Sequence, residues 1–230
     1  MCYAKDNSRC KVDKVVSQDI MVESQMANDS QQSKKASNSK SALQQIREKM
    51  QVVVTEYSNG DINASQFNAI YQHYAEKRDI IERMLERNPD SDAWQSVVQQ
   101  GYTTHLRSQF QARTIHYAVF RRGTPKPLMS SGKLSRKTAE QIHMLLRVVF
   151  KMKTHRTGLA RKSIGNGNWL VMSIGDQSLT MVTFSLQPSS LQTAKVRDLH
   201  EDFEVANQRA LKTGKPSERF VYPQRSLLED

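Results

Sequence analysis

Residues 165–184 read GNGNWLVMSIGDQSLTMVTF. Trp169 to Ile174 and Leu179 to Ser185 are rich in β-branched and aromatic residues, and Gly175-Asp176-Gln177 between them is a turn sequence. The stretch predicts a β-hairpin. Gly165-Asn166-Gly167-Asn168 lacks the Gly-Lys-Ser/Thr ending of a phosphate loop and leads into a strand rather than a helix, so it predicts a turn.

Working upstream, Gly158 to Gly165 reads as a strand. A helix is predicted from Arg136 to about Lys153, with Ser135 as its cap. Before it come a short strand at Leu128 to Ser131, a turn over Arg121 to Pro127, and a strand at Thr114 to Phe120. Downstream, Ser189 or Ser190 starts a helix with Leu191, Leu199, Phe203, Ala206 and Ala210 on one face, ended by Gly214 and Pro216. The last dozen residues read as a loose tail.

The N-terminal part is helical in pattern. A third helix is expected after Pro89, capped by Asp90 or Ser91, with Trp94, Val97, Val98, Leu106 and Phe110 on its apolar face and Gly101 interrupting it. Before it, Leu43, Ile46, Met50, Val53, Val54 and Tyr57 recur at steps of three and four, as do Phe67, Ile70, Tyr71, Tyr74, Ile81, Met84 and Leu85. Ser58-Asn59-Gly60-Asp61 separates the two stripes. Asn63 with Gln66 forms the signature of a capping box, and Asn88-Pro89 ends the second helix. Two such helices predict an antiparallel hairpin. Residues 1–40 are rich in Ser, Asn, Gln and Lys and read as a disordered leader.

The expected fold class is α+β: a disordered leader (1–40), a helical hairpin (41–88), an α/β domain with a five-stranded antiparallel sheet and flanking helices (91–212), and a flexible tail (213–230). The element order, with GNGNWLVMSIGDQSLTMVTF as its central hairpin, resembles the roadblock / dynein light chain family and, more loosely, the profilin-like and longin folds. Asn59, Gly60, Ile62 and Phe67 in the helical hairpin resemble the short C-terminal (SHOCT) type of bacterial hairpin module. The roadblock resemblance implies a homodimeric, non-catalytic regulator or scaffold for small GTPases or motor complexes. It also implies dimerisation through the helix that begins at Arg136.

Other classes fare worse. No apolar run reaches the roughly 18–20 residues that span a bilayer, and residues 1–14 lack a secretory pattern. The two cysteines, Cys2 and Cys10, make no disulfide framework and have no histidine near them. A reducing, cytoplasmic setting is expected, with no metal and no cofactor. The six histidines show no metalloprotease spacing, and His200-Glu201-Asp202 reads as a solvated helix face. Ser130-Ser131-Gly132-Lys133 and Lys212-Thr213-Gly214 match two penicillin-binding motifs. The third motif is missing, and the contexts, a Gly turn and a helix end, are wrong for that chemistry.

Two surfaces remain. Stepping about 100° per residue from Ile142, the apolar residues of the 136–153 helix spread over roughly 240°. One sheet cannot cover so wide an arc, so Met144, Leu145, Val148 and Met152 are expected at a homodimer interface. The alternative cover is the helical hairpin. The formal charge is +11, and residues 91–160 alone hold 12 basic and 2 acidic side chains. Arg121, Arg122, Lys126, Lys133 and Arg136 border the first hairpin and the next helix, where Pro125 and Pro127 stiffen the turn. They are expected to dock an anionic partner, a protein such as a small GTPase or, alternatively, nucleic acid contacted across residues 107–156. A solvated basic face is the plainer account of the same residues.

Overall fold

The computed structural model describes residues 40–88, 93–97, 102–151, 157–213 and 220–228. The expected leader through residue 39 and the expected interface residue Met152 lie outside these. Helix α1 covers residues 40–59 and α2 covers Ala64–Arg87. Gly60 turns the chain between them at φ +80, a backbone region closed to most side chains. The capping box forms as predicted. Asn63 Oδ1 accepts from the Gln66 amide at 2.8 Å, and Gln66 Oε1 accepts from the Asn63 amide at 3.0 Å.

Of the expected third helix, the described residues form a 3-10 turn at Ala93–Ser96 and helix α3 at Tyr102–Gln109. The chain divides into two compact units, cut between Gln51 and Val52, between Tyr71 and Gln72, and between Gln100 and Gly101. The helical hairpin is therefore not a unit of its own, because α1 and α2 each contribute to both. In the first unit Ala42, Ile46, Met50, Ile81 and Trp94 form the core. Residues 42, 46 and 50 lie four apart and so share one helix face.

The second unit holds the sheet. Its elements are β1 (Thr114–Arg121), β2 (Pro127–Gly132), α4 (Arg136–Lys151), β3 (Gly158–Ser163), β4 (Trp169–Ile174), β5 (Ser178–Phe184), α5 (Ser190–Ala206), α6 (Gln208–Thr213) and a 3-10 turn at Pro223–Leu227. The strands lie in the order β2-β1-β5-β4-β3, each pair antiparallel. This is the five-stranded antiparallel sheet with flanking helices read from the sequence. Strand alternation splits the core in two. Ala118, Phe120, Leu170, Met172, Leu179 and Met181 meet Ile142 and Leu146 of α4. On the other face, Tyr117, Val171, Val182 and Phe184 meet Val196 of α5 and Leu227.

Two capping boxes brace the entry to β1. Besides capping α2, Asn63 Nδ2 donates to Phe110 O at 2.9 Å and Gln66 Nε2 to Arg107 O at 2.7 Å. At α5 the box is Ser189 with Gln192, and Gln192 Nε2 donates to Ala112 O at 2.8 Å. Each box thus spends its spare amide protons on carbonyls that neither helix nor strand satisfies.

The C-terminal part departs from expectation twice. The last helix breaks at Asn207, whose side chain binds both polar atoms of the Val221 backbone. Asn207 Nδ2 donates to Val221 O at 2.7 Å, and Asn207 Oδ1 accepts from Val221 N at 2.9 Å. Residues 220–228 are not a loose tail. Tyr222 stacks on Phe203 and Phe220 packs beside it at a tilt, and Gln224 and Leu227 are buried. Ending the chain after Thr213 should therefore destabilise the α/β unit by more than about 3 kcal/mol, since burial of one large apolar side chain contributes roughly 1.5–3 kcal/mol. Urea unfolding of the full and shortened chains measures this; equal midpoints would contradict the packing.

Candidate functional site

The residues expected to dock a partner are placed unequally. Arg121 donates to Leu211 O, and Arg122 Nη1 donates to Gly175 O at 2.6 Å. Both are half-buried, so their guanidinium groups serve backbone carbonyls of their own chain. The reason lies in the register. Arg121 pairs with Ser178 as β1 ends, which leaves Arg122 beside the β4–β5 turn. Arg136 is exposed and pairs with Glu140 at 3.1 Å. Lys126 and Lys133 are exposed in the loops flanking β2.

On α4, Leu145, Val149 and Phe150 pack against the sheet cluster beside Ile142 and Leu146. The sheet face therefore covers an arc of about 140° by the same angular step. Met144 and Val148 are 61% and 55% exposed. Leu145, expected at the interface, is turned largely toward its own core.

A third group of residues was not read as a site from the sequence. His200 is 2% exposed, not solvated as expected, and its Nδ1 lies 2.9 Å from Thr180 Oγ1. Gln224, fully buried, donates through Nε2 to Thr180 Oγ1 and to Leu199 O, each at 3.2 Å. Burial holds the His200 imidazole below its ordinary value, and Glu204 opposes this in part. His116 is also held low, by burial.

Glu204 organises the β4–β5 turn. Its Oε1 accepts from Gln177 N at 2.9 Å, Ser178 N at 2.7 Å and Ser178 Oγ at 2.8 Å, and Oε2 accepts from Asp176 N at 3.3 Å. A Cβ at Gly175 would run into this carboxylate. Ser173, Gly175, Arg197, His200, Glu201 and Glu204 line a cleft of about 330 Å³ here.

Hydroxyl, imidazole and carboxylate thus lie in a row, yet Thr180 is fully buried and cannot meet a substrate. Among the described residues no three acidic, histidine or cysteine side chains converge as metal ligands, and no helix is long and apolar enough to cross a membrane.

The buried stripe of α5 is Thr193, Val196, His200 and Phe203, continued by Asn207. Of the residues expected on that face, Phe203 is buried, whereas Leu191 and Ala206 are exposed. The 3–4 spacing of residues 193, 196, 200, 203 and 207 was present, but polar members hid it from an apolar count.

No family model, no curated protein and no solved structure matches this chain. Glu204→Gln should cost on the order of 2–4 kcal/mol, because several hydrogen bonds to a charged acceptor weaken together. Chemical unfolding measures it; a loss under about 0.5 kcal/mol, the usual range of a surface change, would show the turn is held otherwise.

Proposed function

We propose that this chain is a non-catalytic protein-interaction module that forms a homodimer through the outer face of α4 and acts as a regulator or scaffold. The observation that carries this reading is the exposure of Met144 and Val148, four residues apart on one helix, while Ile142, Leu145, Leu146, Val149 and Phe150 of α4 are engaged with the sheet. An antiparallel second copy would set Met144 against Val148 and exclude water from both. The resemblance to roadblock proteins supports the same helix, and a small GTPase as the regulated partner. A cytoplasmic setting suits a chain whose cysteines occur only at positions 2 and 10.

A second reading has its own support. Lys126, Lys133, Lys137, Arg147 and Lys151 are exposed and have no carboxylate partner among the described residues. Such a surface suits nucleic acid, whose binding would weaken steeply with salt, by about 0.9 in log affinity per phosphate contact for each tenfold rise.

Sedimentation of the full chain at low micromolar concentration tests the first reading. The wild type should sediment as a dimer and the Met144→Glu, Val148→Glu double variant as a monomer. Its circular-dichroism spectrum should be retained, because both positions are more than half exposed. A monomeric wild type would sink the dimer. Tight duplex-DNA binding that falls steeply between two salt concentrations would favour the second reading.

A further inference from the structure

Strand β3 closes one end of the sheet. Among the described residues it pairs with β4 alone, and five of its six residues are exposed. The pairing runs without a break from Gly158 opposite Ile174 to Ser163 opposite Trp169. Just beyond it, Ile164 N donates to Asn168 O at 3.0 Å. Antiparallel pairs alternate between those that exchange hydrogen bonds and those that do not. Counting back from Ile164, the backbones of Lys162, Ala160 and Gly158 face β4. The amides and carbonyls of Leu159, Arg161 and Ser163 therefore face outward. The other side of β4 fixes the same phase: Gly175 N donates to Ser178 O at 3.0 Å, which turns the backbone of Ile174 toward Gly158.

The opposite edge of the sheet is blunted. Strand β2 opens on Pro127, which has no amide proton, and its pairing with β1 shifts register between Val119 and Phe120. Proline and irregular pairing are common guards against the addition of another strand. Strand β3 has neither, but it carries charge. Arg161 and Lys162 stand side by side, and neither forms an ion pair among the described residues. Alternation sends them to opposite faces. Lys162 lies on the side of Ala160, which packs on the α4 cluster. Arg161 lies opposite Val171 on the α5 side, together with Leu159, which is 40% exposed.

These cations discriminate between occupants. A second copy paired antiparallel about Arg161 sets that residue against its like, and pairing about Lys162 does the same there. Like charges directly opposite destabilise a strand pair. Pairing about Ala160 still gathers four cations on one short ribbon. An acidic strand meets attraction where a second copy meets repulsion.

We propose that β3 is the docking edge for an extended acidic peptide of a partner protein, which adds to the sheet as a further antiparallel strand. The outward backbone groups of Leu159, Arg161 and Ser163 bind its main chain, and the side chains read its sequence. Antiparallel pairing is the pattern of every other strand pair in the sheet. In that direction the peptide reads acidic, acidic, any residue, apolar. The first acid lies opposite Lys162, the second opposite Arg161, and the apolar residue covers Leu159. Two adjacent acids are required because the two adjacent cations point to opposite faces. The edge shares no residue with the outer face of α4, so its failure would leave the dimer reading standing.

Fluorescence anisotropy of the full chain with a labelled peptide, Val-Thr-Glu-Glu-Thr-Val-Thr, tests this. The amide of the second glutamate faces β3, so N-methylation there should abolish binding. The amide of the next threonine faces away, and N-methylation there should leave binding intact. Changing Arg161→Glu and Lys162→Glu together should weaken binding by roughly tenfold or more, since two attractive cross-strand pairs become repulsive. The same variant should gain binding of the peptide with lysines in place of its glutamates. No binding by the wild type would overturn the proposal, and equal binding of the two methylated peptides would overturn strand addition. Tighter binding of single-stranded DNA than of the peptide would overturn the acidic peptide as the occupant. If the double variant does not fold, the methylated pair on the wild type decides.

Discussion

Strand β5 is buried at every position from Ser178 to Phe184, and a strand in that place needs a layer on each side. Helix α4 covers one face. Helix α5 covers the other only in part, and residues 220–228 complete it. The sequence of β5 adds a second demand. Ser178, Thr180 and Thr183 bring hydroxyl groups into the interior, where an unpaired polar group is costly. The second layer must therefore supply polar partners as well as apolar cover. Glu204 answers Ser178, and His200 with Gln224 answers Thr180. Thr183 Oγ1 has no partner among the described residues.

Much of this was legible in the residues. The hairpin around Gly175, the capping signals at Asn63, Ser135 and Ser189, and the strand-helix order each rest on local chemistry that tertiary contacts left intact. What failed was long-range. Nothing local marks Pro223 to Leu227 as a packed turn, because its anchor is the Asn207 side chain on a distant helix. His200 was misassigned because His-Glu-Asp looks solvated when read as neighbours, although a helix turns successive residues about 100° apart.

The basic surface illustrates the same limit. Side-chain charge is countable from sequence, but availability is not. Arg121 and Arg122 sit where β1 ends and serve the carbonyls of Leu211 in α6 and Gly175 in the β4–β5 turn, a role that a guanidinium with several donors fills well. Lys126, Lys133 and Lys137 stay exposed. The charge excess of residues 91–160 is thus partly internal stitching and partly free surface, and only the latter can meet a partner.

The fit between Gly175 and Glu204 constrains how this chain can vary. A side chain at position 175 takes the room that the carboxylate occupies, and a shorter acid at position 204 would leave the turn amides out of reach. Either substitution alone parts the carboxylate from the turn amides, and a longer residue at 175 with a smaller one at 204 fills the space while discarding the anion. Sequences derived from this one should therefore change these positions as a pair, trading an electrostatic clasp on the turn for plain contact.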